Sequence, residues 1–311
     1  MSAPMDFNIL TCERSTLKEK IKMAHRLGYK AVAINIFIPE LTQTSKKKKS
    51  QQQDIAPAKS LKLSDLELQE LLGPTWKSFR QLTRISATLA DVQHNFVMST
   101  DIVQQYDLVA VQPTTDKTFY QACTALNVDI ITLDVTEKLP FKLKRTTINA
   151  AVQRGIKFEF QYSPAIRDST LRKYFIANAQ QFVFCDIGKN IILTSGCEKA
   201  MELRGPYDVA NLGSLLNLNA AQSKAAVTSN CEALLKHSES RRLNKSVSKV
   251  EKLEEIPGNE TWLLDKLRVH SSLESVNGGS RDIAGIHGID SSDEETSVDG
   301  PAAKKIKLVQ T

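Results

Sequence analysis

The chain has 311 residues, of which 41% are hydrophobic, 24% charged and 6% aromatic, and its formal net charge at pH 7 is +6. This composition is typical of a soluble globular protein that buries a core, and no apolar run approaches the roughly 20 residues needed to cross a bilayer. Because the first ten residues lack the basic and then apolar pattern of a secretory signal, we expect an intracellular protein that contacts no membrane.

Strand-like apolar runs alternate with helical patterns up to about residue 237. Runs such as Ala31 to Ile34 are apolar on both faces, which is typical of parallel strands covered by helices. Eight strand and helix units favour a closed TIM-like (β/α) barrel in the α/β class, with a doubly wound open sheet as the alternative. The predicted strands are Asp6–Leu10, Lys30–Ile36, Leu82–Ala90, Asp107–Val111, Val128–Val135, Ile156–Tyr162, Asn190–Thr194 and Lys199–Leu203.

Helical patterns lie between the predicted strands. Ser15, Asp116 and Asp168 are residue types that cap helix N-termini, and Gly28 and Gly155 stand where a helix gives way to a strand. The predicted helices are Ser15–Leu27, Ser64–Leu72, Ser99–Gln105, Asp116–Ala125, Thr147–Arg154, Asp168–Phe184, Pro206–Asn217 and Ala220–His237.

Two regions depart from this alternation. Residues 42–60 contain runs of four lysines and three glutamines and are predicted to form a disordered loop after the second strand. Residues 238–311 are polar and are predicted to form a disordered tail, so that residues 1–237 make up the barrel. The tail has a formal net charge of −2, which leaves +8 on the barrel, a surplus compatible with a polyanionic partner.

The end of the tail contains two short signals. Ser291 and Ser292 stand before three acidic residues, a pattern typical of phosphorylation by acid-directed kinases. Lys304, Lys305 and Lys307 follow a proline and resemble a nuclear localisation signal, which an import receptor binds in an extended conformation. These residues predict a nuclear protein.

The five cysteines, at positions 12, 123, 185, 197 and 231, include no closely spaced pair. Because zinc sites need such pairs, we interpret them as reduced, mostly buried thiols, and the sequence predicts no metal and no cofactor.

Three motifs occur in order between Val135 and Leu212, and each follows a predicted strand. They are Thr136 to Phe141 (TEKLPF), Tyr162 to Thr170 (YSPAIRDST) and Glu202 to Leu212 (ELRGPYDVANL). At these residues, and at Leu82-Thr83-Arg84 earlier in the chain, the sequence resembles the thirty-kilodalton protein subunit family of eukaryotic nuclear ribonuclease P and ribonuclease MRP, and is similar to its archaeal counterparts. The resemblance covers roughly residues 6–237.

The resemblance implies a noncatalytic subunit of the nuclear ribonucleoprotein that removes the 5′ leader of precursor tRNA, with the RNA component performing the chemistry. It also implies membership of ribonuclease MRP in pre-rRNA processing and a nucleolar location. The implied partners are ribonuclease P RNA, ribonuclease MRP RNA and a small ferredoxin-like subunit, with precursor tRNA contacted indirectly. The leucines at 215, 216 and 218 are contact candidates or core residues.

Cationic side chains follow several predicted strands, and such segments gather on one rim of a parallel barrel. Arginine and lysine pair with phosphate oxygens, so we expect an RNA-binding face there. Some arginines have the alternative of pairing with Glu137, Asp168 or Glu202. Tyr162, Tyr174 and Tyr207 either stack on unpaired bases or pack in the core. The predicted RNA-binding residues are Arg84, Lys138, Lys142, Lys144, Arg145, Arg167, Arg172, Lys173 and Arg204.

Two other functions compete with this interpretation. The family resembles the polymerase and histidinol phosphatase barrels, whose metal-dependent phosphoesterases begin with a His-x-His pair. Here the corresponding residues are Asp6-Phe7-Asn8, so two imidazole ligands are missing and catalysis by this chain is not expected. A barrel adaptor that binds only proteins would also explain the tail, and explains the basic rim less well.

Overall fold

The strands of the protein run parallel, and each pairs with the next strand along the chain. The computed structural model describes residues 3–39, 57–90, 101–141, 143–184 and 188–242. The strands are β1 (Met5–Leu10), β2 (Ala31–Ile38), β3 (Arg80–Leu89), β4 (Leu108–Pro113), β5 (Ile130–Thr132), β6 (Lys157–Gln161) and β7 (Ile191–Thr194). They correspond to the first seven apolar runs of the sequence.

The segment that follows β7 closes the sheet against β1. The main-chain N–H of Gly196 donates to the carbonyl oxygen of Asn8 at 2.9 Å. One residue further on, Cys197 forms a parallel bridge with Ile9. The sheet is therefore a nearly closed TIM-like barrel, which confirms the predicted fold class and makes the open sheet wrong.

The eighth predicted strand, Lys199–Leu203, is wrong. Its centre forms a 3-10 helix, Ala200–Glu202. The Glu202 carboxylate accepts hydrogen bonds from the main-chain N–H groups of Glu198 at 2.8 Å and of Lys199 at 3.4 Å, and so holds the chain in a turn. The pairing position beside β1 is already taken by residues 195–197.

Helices connect the strands and cover the outer face of the barrel. Because this face is apolar along the strands, helices and strands share one large hydrophobic core. The α-helices are α1 (Arg14–Arg26), α2 (Asp65–Leu72), α3 (Asp101–Gln104), α4 (Asp116–Thr124), α5 (Arg145–Gln153), α6 (Ser163–Arg167), α7 (Ser169–Phe182), α8 (Pro206–Leu215), α9 (Ala220–Val227) and α10 (Ser229–Arg242).

The predicted helix ends are correct in part. Asp168 caps α7, accepting from the N–H groups of Thr170 and Leu171. Gly28 and Gly155 have positive φ angles of 96° and 84° at the turns between helix and strand, as expected for glycine. The other two predicted caps are wrong, because α1 begins one residue before Ser15 and α4 is capped by the Thr115 side chain rather than by Asp116.

The last two helices replace the single predicted helix Ala220–His237. They are separated at Thr228, whose backbone leaves the helical conformation (φ −130°, ψ −88°). Helix α10 then continues to Arg242, beyond the predicted barrel boundary at residue 237. It packs against apolar side chains inside the amino end of the barrel, including Phe7 and Leu82, and closes that end. Its residues in this core are Cys231, Leu234 and Leu235.

A buried ion pair fixes the end of α10 to the barrel. The Arg241 guanidinium lies 3.0 Å from both oxygens of Asp129, and neither side chain has appreciable exposure. Arg241 also donates to the carbonyl oxygen of Tyr106 at 3.1 Å. The neighbouring Arg242 pairs with Asp107 at 3.1 Å but is about one-third exposed.

Several predictions fall outside the described residues. These are most of the predicted loop at 42–60, the tail beyond Arg242, the phosphorylation candidates Ser291 and Ser292, and the localisation residues Lys304, Lys305 and Lys307. The end of the predicted loop is described, and there Ala58–Leu61 forms a 3-10 helix. Across the described ranges, no helix combines the length and apolar character required to traverse a bilayer.

We expect Arg241→Ala to lower the free energy of unfolding by about 3–5 kcal/mol, because it leaves the Asp129 carboxylate buried without its guanidinium partner. Arg242→Ala is the matched control and should cost less than about 1 kcal/mol, because that ion pair is partly solvated. Urea unfolding of the full chain measures both. Equal losses of unfolding free energy in the two variants would contradict the stabilising role of the Arg241–Asp129 ion pair.

Candidate functional site

Three segments at the carboxyl end of the barrel carry Lys138, Lys144, Arg167 and Arg204, and the helices that follow two of them carry Arg145, Arg172 and Lys173. The segments follow β5 (133–144), β6 (162–168) and β7 (195–205), and because these strands are adjacent the segments occupy neighbouring sectors of the rim. Asn178 of α7 joins the first two sectors, since its side-chain amide donates to the carbonyl oxygens of Val135 at 2.9 Å and Glu137 at 2.6 Å. The structure thus brings these segments together, as expected from the sequence.

Arg167 joins the β6 and β7 sectors through carboxylates. Its guanidinium lies 2.7 Å from Glu198 and 3.6 Å from Glu202, so the pairing alternative raised from the sequence applies to this arginine. The ion pair holds the pKa of Glu198 below its ordinary value. Arg167 therefore positions the rim segments, and its charge is largely balanced.

Arg172 and Arg204 are exposed and donate to main-chain carbonyl oxygens instead. Arg172 bonds to the oxygens of Ala165 (2.8 Å) and Ile166 (3.3 Å), at the end of α6. Arg204 bonds to Met201 (2.8 Å) and Leu203 (3.0 Å). A carbonyl group is neutral, so these bonds orient both guanidinium groups without cancelling their charge.

The predicted lysines differ in their surroundings. Within the part of the chain that the structure describes, the exposed side chains of Lys138 and Lys173 have neither an ion pair nor a hydrogen bond. Lys144 is exposed and lies 3.6 Å from Asp116, which is also exposed, so this pair is weak. Arg145 is exposed at the start of α5, and Lys142 lies outside the described residues.

The three tyrosines considered for base stacking separate into two groups. Tyr162 is buried, and its hydroxyl oxygen accepts from the N–H of Arg204 at 3.2 Å, so the packing alternative is the correct one for this residue. Burial raises the pKa of Tyr162. Tyr174 and Tyr207 are 46% and 82% exposed and remain available to a partner.

Arg84 lies inside the barrel rather than on the rim. Its side chain has no exposed surface, and its guanidinium forms a bidentate ion pair with Glu159 of β6, with Nη2 2.5 Å from Oε2. It also donates to the carbonyl oxygen of Phe7 at 2.8 Å and to Ser86 Oγ at 2.9 Å. The predicted RNA-binding role of Arg84 is wrong, because alternate residues of β3 point inward and the side chain reaches no solvent.

The ion pair stands at the centre of a polar network inside the carboxyl half of the barrel. Glu159 accepts from the hydroxyls of Thr132 at 2.5 Å and Thr194 at 2.7 Å, and from the amide of Asn8 at 3.3 Å. The Asn35 amide in turn donates to Asn8 Oδ1 at 2.8 Å. Every strand except β4 contributes a side chain, so the network ties the sheet together across its interior.

The pKa of Glu159 is set by two opposing effects, its burial and its charged and hydrogen-bonding neighbours. Burial alone would raise it, but the Arg84 guanidinium and the hydroxyl donors outweigh burial and hold the pKa below its ordinary value. The carboxylate is therefore ionised, and the buried pair is neutral as a unit.

The network does not fit the divalent metal site of the phosphoesterase alternative. One candidate ligand, Glu159, is neutralised by Arg84, whose guanidinium would repel a dication. The other, Asp6, accepts with one oxygen from the N–H groups of Asn8 and Ser195, both at 3.1 Å, and its second oxygen has no partner among the described residues. Burial raises the pKa of Asp6, which favours its neutral form over the carboxylate that a metal ion requires. In the described ranges, His, Cys, Asp and Glu residues form no group of three or more that could hold a metal ion.

The described cysteines have the environments of structural thiols. Cys123, Cys197 and Cys231 are buried, whereas Cys12 is exposed. Burial raises the pKa of Cys123 and of Cys197 to about 12, so both thiols stay protonated and unreactive near neutral pH. Cys185 lies outside the described residues.

The three leucines considered as partner contacts lie mainly in the core. Leu216 and Leu218 are buried, so the contact alternative is wrong for both. Leu215 is 55% exposed at the end of α8 and remains a candidate.

Proteins similar to this chain carry the name ribonuclease P. A family model described as RNase P subunit p30 matches residues 3–243. A mouse protein named ribonuclease P protein subunit p30 is 42% identical over 230 residues, which cover 73% of this chain and 82% of that protein. A Saccharomyces cerevisiae protein named ribonuclease P/MRP protein subunit RPP1 is 27% identical over 213 residues, covering 68% and 69% of the two chains.

The fold is also similar to that of a solved structure. One chain of a cryo-EM structure of archaeal ribonuclease P with mature tRNA matches with a TM-score of 0.53. The match covers 79% of this chain and 99% of that chain at 11% sequence identity, so it shows a common fold.

We expect Arg84→Met to destabilise the barrel by about 3–5 kcal/mol, because it leaves the Glu159 carboxylate buried without its cation. The double variant Arg84→Met with Glu159→Leu should cost less than the sum of the single variants, because no unpaired charge remains. Urea unfolding of the four proteins in this cycle measures the coupling. Additive losses would show that the two residues do not act as a pair.

The Arg84–Glu159 ion pair should also make the free energy of unfolding depend on pH. Because the folded-state pKa of Glu159 is lowered, its contribution to stability is present above the unfolded-state pKa, about 4.3, and is lost as the pH falls through the folded-state value. Glu159→Gln should therefore flatten the acid limb of a plot of unfolding free energy against pH, and an unchanged limb would contradict this assignment.

Proposed function

The chain belongs to the ribonuclease P subunit p30 family, and from this membership we propose that it is a noncatalytic, RNA-binding subunit of nuclear ribonuclease P. In this proposal the complex removes the 5′ leader of precursor tRNA, and its RNA component performs the cleavage. The protein chain supplies a rigid surface that binds the RNA and other subunits.

The observation that carries the RNA-binding proposal is the set of exposed cations on adjacent rim sectors. Lys138 follows β5, Arg172 and Lys173 follow β6, and Arg204 follows β7. Their positive charge is available to phosphate oxygens, because the hydrogen bonds that they donate to described residues end on neutral carbonyl groups or are absent. The Asp168 carboxylate, which attracts Arg172, is itself exposed, so this attraction is weak. The exposed ring of Tyr207 lies in the β7 sector, where it could stack on an unpaired base.

The noncatalytic role is supported by the interior of the barrel mouth. α/β barrel enzymes place their reactive groups at the carboxyl ends of the strands. Here that position holds the Arg84–Glu159 pair, whose hydrogen-bonding groups are satisfied within the protein. The pair has no free carboxylate with which to bind a metal ion or activate water, which argues against the phosphoesterase alternative.

Membership of ribonuclease MRP is the second part of the proposal. It is supported by the name of the yeast relative, which includes both complexes. We further propose a nuclear and nucleolar location, for which the basic residues Lys304, Lys305 and Lys307 are the import signal. A small ferredoxin-like subunit is the proposed protein partner, and an adaptor that binds proteins alone is disfavoured by the exposed cations of the rim.

We expect Lys138→Glu with Lys173→Glu to weaken binding of the full chain to ribonuclease P RNA and to lower the slope of log affinity against log salt by about 1 for each lost phosphate contact. A filter-binding titration at several salt concentrations measures both. Lys30→Glu is the matched control, because Lys30 is exposed at the amino end of β2 and should not contact the RNA. Equal effects of the rim variant and the control would remove Lys138 and Lys173 from the interface.

The division of labour between protein and RNA has its own test. The purified chain should not cleave precursor tRNA, whereas a native complex isolated through this chain should cleave it and should lose activity when its RNA is digested. Sequencing of the RNA in that complex should recover both ribonuclease P RNA and ribonuclease MRP RNA. Cleavage by the protein alone would instead support a phosphoesterase function. A native complex without structured RNA would support an adaptor that binds only proteins.

A further inference from the structure

A cavity of about 300 Å³ opens at the carboxyl end of the barrel. Asn35 and Thr132 belong both to its lining and to the polar network around Glu159, so the network forms its floor. Ligands of α/β barrels bind at this end, and the volume lies at the lower limit of small-molecule sites, which run from about 300 to 1,000 Å³. The cavity is therefore large enough for one small ring system.

The charges around the cavity disfavour an anionic ligand. Its described lining contains two acidic residues and no lysine or arginine. Asp134 already accepts from the N–H and hydroxyl of Thr136 at 3.0 and 2.6 Å, and Glu198 is paired with Arg167. An anion would find no cation here, and the charge of Asp134, which its neutral donors do not cancel, would repel it further.

Two side-chain amides are free to recognise such a ligand. Gln112, near the end of β4, and Gln161, at the end of β6, line the cavity, and neither amide has a hydrogen-bond partner among the described residues. Gly196 makes room for one of them, since a Cβ atom there would lie 2.6 Å from Gln161 Oε1. Each amide offers both a donor and an acceptor.

Apolar side chains make up much of the remaining wall. Phe37 is 42% exposed near the end of β2, and Leu10, at the end of β1, and Pro164, after β6, are half-buried. Such walls contact the faces of a flat ring while the amides reach its polar edge. This combination matches the way in which proteins bind bases that leave the RNA stack.

We propose that the barrel mouth binds an unpaired nucleobase of the RNA whose phosphates lie on the surrounding rim, an inference that rests on the proposed RNA-binding function. A nucleobase carries no negative charge, is planar and has donors and acceptors on one edge, and these properties fit the lining. The rim cations would hold the backbone, and Gln112 and Gln161 would hold the base.

The probe for this site is a nucleoside, which has a base but no phosphate. Adenosine, guanosine, cytidine and uridine are each titrated against the full chain, with binding followed by ligand-observed NMR. At least one should bind saturably, and Gln112→Met with Gln161→Met should weaken it about tenfold or more, because the variant keeps the side-chain volume and loses both amides. The matched control, Gln153→Met, changes an exposed glutamine at the end of α5 and should bind as the unmodified chain does.

Three results would overturn the inference. They are the absence of saturable binding by all four nucleosides, binding that survives in the double variant, and displacement of the nucleoside by N-acetyl-arginine amide, which would assign the cavity to a cationic side chain of a partner protein. These probes carry no phosphate, so a lack of nucleoside binding would not change the salt dependence of RNA binding expected at Lys138 and Lys173. That salt dependence is measured in a separate filter-binding titration, so the two proposals can fail independently.

Discussion

The buried ion pair between Arg84 and Glu159 determines what the carboxyl end of this barrel can do. A lone ion of either sign would be strongly disfavoured in the interior, so each residue requires the other. The hydroxyls of Thr132 and Thr194 and the amide of Asn8 satisfy the remaining acceptor sites of the carboxylate. The centre of the barrel is consequently polar, neutral and rigid, where an enzyme with this fold would keep a reactive group.

The interior is neutral, and the exposed positive charges at this end of the barrel lie on its rim. The segments after β5, β6 and β7 are held together by the amide of Asn178 and by the carboxylates that bind Arg167, while neighbouring cations stay exposed. Such a surface is preorganised, which lowers the entropy lost when a large anion binds. Closure of the amino end by α10 leaves the opposite end open to a partner.

Local patterns explain how far the sequence could predict this structure. Parallel strands covered by helices are apolar on both faces, so the first seven strands could be recognised, whereas the short alternation at Lys199–Leu203 could not be distinguished from the turn that Glu202 stabilises. Arg84 was misassigned because its partner lies 75 residues away, and no local signal tells whether a charged strand residue points inward. The cavity amides have no local signal either, since Gln112 and Gln161 come together only when β4 and β6 take their places on either side of β5.

Contact between the carboxyl-end rim and RNA can be detected by crosslinking of the native complex. Ultraviolet crosslinking followed by mass spectrometry identifies the peptides of this chain that carry a nucleotide adduct. If the rim binds RNA, adducts should lie within residues 133–145, 162–173 and 195–208, which follow adjacent strands at their carboxyl ends. Adducts confined to α10 and the amino end of the barrel would contradict it.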